Sequence, residues 1–155
     1  GAGQGIGREY AHAFAEAAAI PVIAELNGQN GQKVASEIEG EGGQVLAVET
    51  DVSSEDSVKS MVKLTLKKFG RIDILINNAA LFAVLPKCNF GDIPLEEWNR
   101  VLNVNVTGSY LCAKAVVPIM RKTRDGRIIN VSSPTVPQGH LALCIMLPLR
   151  PQLSV

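Results

Sequence analysis

The sequence has no excess of charge of either sign, because its 15 Lys and Arg balance its 15 Asp and Glu. Without a net basic field, attraction to nucleic acid or to an anionic membrane is excluded as its organising interaction, and a small neutral or anionic ligand is the easier partner. Cysteine is scarce. Cys88, Cys112 and Cys144 are odd in number, lie far apart and form no C-x-x-C pair, and only two histidines accompany them. A disulfide framework and a zinc-ligand cluster are therefore not expected, and a reducing cytoplasm fits this usage. No apolar run approaches the roughly 18 residues that a membrane-crossing helix needs, and no basic stretch followed by an apolar one opens the chain, so neither a span nor a secretory leader is expected. Internal repeats and low-complexity segments are also missing. The first residue is Gly1 rather than Met and stands directly in a turn motif, from which the chain is expected to begin inside a larger protein.

What is present is apolar residue in quantity, 46% of 155 residues, enough for one domain with its own core. Its spacing alternates between two periods. Residues 6–19 carry a helical stripe (Ile6, Tyr10, Ala11, Phe14, Ala18), followed by a short strand-like run at 21–24. Helix formers at 31–39 lead through a glycine cluster to a second run at 45–48. Ser53, Ser54 and Gly70 bracket a helix over 55–69, and Ile72 to Ile76 is so uniformly apolar that it reads as a strand deep in a sheet. Residues 96–122 make the longest helical pattern, and Arg127 to Val131 a further buried strand. Strands alternating with helices predict an α/β fold with a parallel, doubly wound sheet and helices on both faces, since parallel neighbours need a crossover. The expected domain covers 1–139. Residues 140–155, rich in Leu and Pro, match neither period and form an atypical tail.

Gly-Ala-Gly-Gln-Gly-Ile-Gly opens the chain and runs straight into the first helix. Glycines permit close backbone approach and positive φ, and a helix N-terminus adds partial positive charge, so the turn suits a diphosphate; a plain turn would use the same residues. Glu25 falls at the end of the next strand, about 20 residues on, where a carboxylate accepts both hydroxyls of an adenosine ribose and repels a 2′-phosphate. Its neighbours Leu26 and Asn27, and Gln4 in the turn, offer no cation to that extra phosphate. NAD is favoured over NADP. Otherwise Glu25 is an exposed charge closing a strand.

Gly1, Gly5 and Gly7 satisfy G-x-x-x-G-x-G, whereas G-x-G-x-x-G fails at Ile6. Four further motifs follow: Asp51-Val52, Asn77-Asn78-Ala79-Ala80, Asn105-Val106-Thr107-Gly108, and Arg127 to Ser133 ending Asn-Val-Ser-Ser. In order and spacing the chain resembles the classical short-chain dehydrogenase/reductase family from Gly1 to about Gly139, with Ala80 in place of that family's usual glycine. The resemblance implies a Rossmann-like fold and hydride transfer between a nicotinamide and an alcohol or carbonyl carbon. It places Gly1, Gln4, Gly5, Ile6 and Gly7 on the cofactor's diphosphate side, Asp51 and Val52 beside the adenine, and Asn78 and Ala79 along the cofactor. Ser133 is implied to hydrogen-bond the substrate oxygen and Asn105 to hold a water in the proton relay. Singly, each has a plainer role: Asp51 as a helix cap, Asn78 as a turn residue, Asn105 as a satisfied amide, Ser133 as a strand end.

The family's acid/base is a tyrosine followed four residues later by a lysine. Here the corresponding positions hold Met146 and Arg150; no tyrosine follows Tyr110 and no lysine follows Lys122. A thioether exchanges no proton, and Pro148 and Pro151 oppose the long helix that carries the pair. The chain as it stands is therefore expected to be inactive. Reading Ile145 to Gln152 as ATT ATG TTG CCT CTA AGG CCG CAG and shifting the frame to begin on the last T, completed by TT, gives Tyr-Val-Ala-Ser-Lys-Ala-Ala-Val. A frameshift would thus account for the tail.

The resemblance also implies a first, central strand ahead of Gly1. Its absence is expected to leave a gap between the strands at 21–24 and 72–76, with open edges and marginal stability. The parent is expected to be a homo-oligomer acting on a small alcohol or carbonyl compound. A non-catalytic dinucleotide-binding or partner-binding fragment is the other reading of the same residues. His12 is expected on the surface or in packing, His140 has no partner suggesting a triad, and Trp98 reads as core or subunit contact.

Overall fold

The computed structural model describes residues 1–82 and 89–132. Helix α1 (Gly5–Glu16) grows directly from the glycine turn, and β1 (Val22–Glu25) follows. Helix α2 (Gly28–Gly40) starts where the Asn27 side chain accepts the Asn30 N–H at 3.1 Å, and leads to β2 (Leu46–Glu49). Helix α3 (Glu55–Phe69) has the bounds its punctuation demands. The Ser54 hydroxyl accepts the Ser57 N–H, Glu55 and Asp56 sit in the first turn, Lys67 and Lys68 in the last, and Gly70 closes the helix at φ 76°. Strand β3 (Ile74–Asn77) comes next, then a 3₁₀ turn at Phe90–Asp92, helix α4 (Leu95–Leu102), helix α5 (Gly108–Thr123) and strand β4 (Arg127–Asn130).

The expected single helix over 96–122 is interrupted: between α4 and α5, Asn103–Thr107 is π-helical. Pro118 lies inside α5, so one proline alone does not end a helix here.

Among the described residues four strands make two parallel pairs, β1 with β2 and β3 with β4. Register puts Glu25 opposite Glu49 and Asn77 opposite Asn130. Side chains alternate across a strand, and the two cores follow that alternation. Ile23 and Ala47 pack with Ala11, Val34 and Ile38 from α1 and α2, whereas Val22, Ala24, Leu46 and Val48 pack with α3 and α5 through Val58, Met61, Leu111 and Val116. Helices therefore cover both faces, as expected of a doubly wound arrangement, and the sheet is partial.

The gap lies between β1 and β3. This corrects the expectation that the run at 72–76 is deeply buried: Ile74 is 42% exposed, and among the described residues β3 has a strand neighbour on one side only. Trp98 is half-buried on α4, a helix with no fully buried residue, and so is not a core residue. Among the described residues no helix is long and apolar enough to cross a membrane, and no group of His, Cys, Asp and Glu is placed to hold a metal.

Candidate dinucleotide site

The glycine turn leaves from between the C-terminal ends of β1 and β3. The Gly1 nitrogen donates to the Ala24 carbonyl at 2.8 Å, and Asn78 Nδ2 donates to the Gly1 carbonyl at 2.8 Å. Asn78 thus does more than shape a turn, since it ties the end of β3 to the start of the glycine turn. Ala79 lies so close to Gly1 that a Cβ there would stand 2.8 Å from the Ala79 Cα. Gly5 has φ 53°, a left-handed conformation that favours glycine. Gly7 is buried, and a Cβ on it would overlap the Gly1 carbonyl oxygen and reach Asn78 Nδ2 at 2.8 Å.

Gln4 is extended and exposed, and its side chain makes no cap on α1; no acidic residue occupies the first turn. The first N–H groups of a helix have no intrahelical partners, and together with the helix dipole they favour an anion. Ile6, 62% exposed, stands beside them. Replacing Gly7 by alanine is expected to push Gly1 and Asn78 apart, lower stability by about 1–3 kcal/mol as overpacking does, and weaken dinucleotide binding in the same preparation. Urea unfolding and a fluorescence titration measure the two effects.

Glu25 is not an exposed strand-end charge. It is buried at 8% exposure, and its two oxygens are held by backbone: Gly3 N–H donates to Oε2 at 2.9 Å and Asn27 N–H to Oε1 at 3.1 Å. Burial pushes its carboxyl up, but the backbone donors at Gly3 and Asn27 oppose this, and the carboxyl is held below the ordinary carboxylate range. A carboxylate has about four acceptor positions, so two remain for further donors after these two amides. Gly3 must be glycine, since a Cβ there would lie 2.7 Å from the Glu25 Cγ and 2.9 Å from the Asn30 Cβ. Beyond Glu25, Leu26 is 66% exposed and the Asn27 side chain is spent on its cap, so no cation adjoins the carboxylate on this side.

Asp51 takes the local role open to it: its Oδ1 accepts the Ser53 N–H at 2.9 Å and the Ser53 hydroxyl at 2.6 Å. Val52 packs against Gly108, where a Cβ would meet Val52 Cγ2 at 2.8 Å, and so the start of α5 fits closely under the loop after β2. Asn105 sits in the π-helical segment with both ends of its amide on Leu81: Oδ1 accepts the Leu81 N–H at 2.8 Å and Nδ2 donates to the Leu81 carbonyl at 3.2 Å. Its own carbonyl accepts the Ser109 hydroxyl at 3.2 Å. The geometry makes Asn105 the clamp of the loop after β3. Ser133 lies outside the described residues, as do Met146 and Arg150.

The structure adds three residues to the expected set. Gly3 donates to Glu25, Gly108 receives Val52, and Asn77 donates to Asn130 Oδ1 at 2.9 Å across the β3–β4 pair. The glycines were readable as glycines, but nothing in the sequence says which side chain approaches each of them. His12 bridges helices, with Nε2 3.3 Å from Glu37 and Nδ1 3.3 Å from Glu41, a packing role remote from the turn.

A family described as short chain dehydrogenase matches residues 1–144. An uncharacterized oxidoreductase of Thermotoga maritima is 44% identical over 133 residues, 86% of this chain and 51% of that protein. A 3-oxoacyl-[acyl-carrier-protein] reductase of Synechocystis sp. is 38% identical over 134 residues, 86% of this chain and 53% of that protein. Among solved structures, a 7α-hydroxysteroid dehydrogenase complexed with NADH and 7-oxo glycochenodeoxycholic acid superposes with a TM-score of 0.79 at 34% identity, over 86% of this chain and 51% of that one. The chain spans about half the length of the curated relatives it matches. It belongs to the short-chain dehydrogenase family.

Proposed function

We propose that this chain is the nucleotide-binding half of an NAD-dependent oxidoreductase that moves a hydride between a nicotinamide and a small alcohol or carbonyl compound. One observation carries the reading: an uncapped helix N-terminus rises from a turn in which Gly3 and Gly7 leave no room for a side chain, and a buried ionised Glu25 is fixed beside it. The residues fit a dinucleotide. Amides at Gln4, Gly5, Ile6 and Gly7 would hold the diphosphate, the free acceptor positions of Glu25 the ribose hydroxyls, and Asp51 and Val52 the adenine side. Asn78 and Ala79 would face the rest of the cofactor. When bound, the nicotinamide supplies the hydride, and the protein has to orient it and manage a proton on the substrate oxygen.

For that proton, Ser133 would donate to the oxygen, and Asn105, clamping the loop at Leu81, has a remaining Nδ2 hydrogen for a water. Glu25 selects against a 2′-phosphate by charge, which favours NAD over NADP. The parent protein acts in the cytoplasm as a homo-oligomer, without nucleic acid or a membrane.

A second reading, a non-catalytic dinucleotide-binding or partner-binding fragment, is favoured by Met146 and Arg150 standing where the family has tyrosine and lysine. Fluorescence titration tests the first half of both: NADH is expected to bind about tenfold or more tightly than NADPH, a difference of at least about 1.4 kcal/mol. Equal affinity for the two would overturn the preference for NAD, and no binding of either would overturn the site.

A further inference from the structure

Glu25 closes β1, Glu49 closes β2, and the two are register partners in the parallel pair, on strands that run about 4.8 Å apart. Two residues back on each strand, Ile23 and Ala47 pack with α1 and α2, so the alternation of side chains brings both carboxylates to that same face. The first turns of α2 lie against them. A Cβ on Gly31 would stand 3.3 Å from the Glu25 Cβ, and a Cβ on Gly28, the first residue of α2, would stand 2.7 Å from Glu49 Oε2. Glycine at 28 therefore leaves the Glu49 carboxylate its place, and a side chain there would displace it. The two acids are used differently. Glu25 is buried with its oxygens on the Gly3 and Asn27 amides, whereas Glu49 is exposed. Glu37, Glu55 and Glu97 meet Arg8, Lys59 and Arg100 at 2.9, 3.1 and 2.8 Å, but among the described residues no cation pairs with Glu49, so its charge is not cancelled locally.

We propose that Glu49 is a second specificity-determining residue of the dinucleotide site, adding its negative charge to that of Glu25 against the 2′-phosphate of NADP. The inference rests on the dinucleotide reading and deepens it. Holding the ribose hydroxyls takes the free acceptor positions of one carboxylate, and Glu25 supplies them. Glu49 acts without contact: repulsion of a phosphate reaches through water over roughly a Debye length, about 10 Å at 0.1 M salt. An unesterified 2′-hydroxyl carries no charge to feel it. The signature is an effect on NADPH alone that fades as salt rises. A carboxylate at the start of α2 has a competing use, steadying the helix dipole, and that use predicts a lower thermal midpoint on neutralisation with both cofactors affected alike.

Fluorescence titration of NADH and NADPH against the full 155-residue chain and its Glu49→Gln and Glu49→Lys variants tests this, with thermal midpoints measured on the same preparations. At low salt, Glu49→Gln is expected to tighten NADPH by about threefold and Glu49→Lys by about tenfold, with NADH unchanged, and both gains are expected to shrink at about 1 M salt, where the Debye length is about 3 Å. Glu39→Gln, which removes the same charge about 16 Å further along α2, is expected to leave both affinities unchanged. An unaltered ratio of NADPH to NADH affinity in both Glu49 variants, equal changes for the two cofactors, or the same gain from Glu39→Gln overturns the role of Glu49 while the dinucleotide site stands. Failure of the unsubstituted chain to bind either cofactor overturns the site and this inference with it.

Discussion

Glu25→Ala is expected to weaken NADH binding by about 100-fold, because hydrogen bonds to a charged group are worth about 1.5–3 kcal/mol and tenfold in affinity is about 1.4 kcal/mol. Two losses combine. The ribose hydroxyls lose a charged acceptor, and the Gly3 and Asn27 amides lose the oxygens that hold the turn in shape. NADPH separates the two: a carboxylate that repels the 2′-phosphate predicts that Glu25→Ala lowers NADH affinity and leaves NADPH affinity level or raised. A carboxylate that only braces the turn predicts equal loss of both, and that outcome would remove Glu25 from the specificity assignment.

The pH dependence has a definite sign. Glu25 is held below the ordinary carboxylate range in the folded chain, so its contribution is present above the unfolded value, about 4.3 for a glutamate, and fades only as the pH falls through the lower folded value. Binding of NAD measured by calorimetry should therefore stay level from neutrality down to about pH 4.5.

Much of this was legible in residue patterns, and the failures have physical causes. Helix α3 came out with its read bounds because Ser54 and Gly70 are unambiguous local signals that need no tertiary partner. Glu25 was placed at its strand end by counting, but its burial depends on Gly3 and Gly31 making room for it, a three-dimensional fact. The π-helical segment at Asn103–Thr107 left no trace in apolar periodicity, since it shifts the backbone register without changing which residues are apolar. Its reason appears only in space, where Asn105 reaches both backbone groups of Leu81. Strand β3 misled in the other direction. Its composition suits a strand covered on both faces, whereas the open edge beside it followed from the order of the motifs and not from composition.

Turnover gives the largest contrast. The chain with Met146 and Arg150 is expected to bind the cofactor and to oxidise no alcohol and reduce no diketone, because a thioether holds no exchangeable proton. The family match stops at residue 144, one short of Ile145, where the shifted frame would begin. Reading the parent gene in that frame, with Tyr-Val-Ala-Ser-Lys-Ala-Ala-Val starting at position 146, is expected to raise the rate by at least about 10²–10⁴-fold, the usual contribution of a positioned acid/base. The double variant Met146→Tyr with Arg150→Lys is expected to stay inactive. It restores the two side chains but keeps Pro148 and Pro151, and although α5 tolerates Pro118, two prolines three residues apart each remove a donor, at about 3 kcal/mol or more inside a helix. Side-chain chemistry and helix geometry are thereby separated. Sequencing the encoding DNA decides the premise: codons for 145–152 that yield no Tyr-x-x-x-Lys in either alternative frame refute the frameshift, and turnover by the chain with Met146 intact refutes the acid/base argument itself.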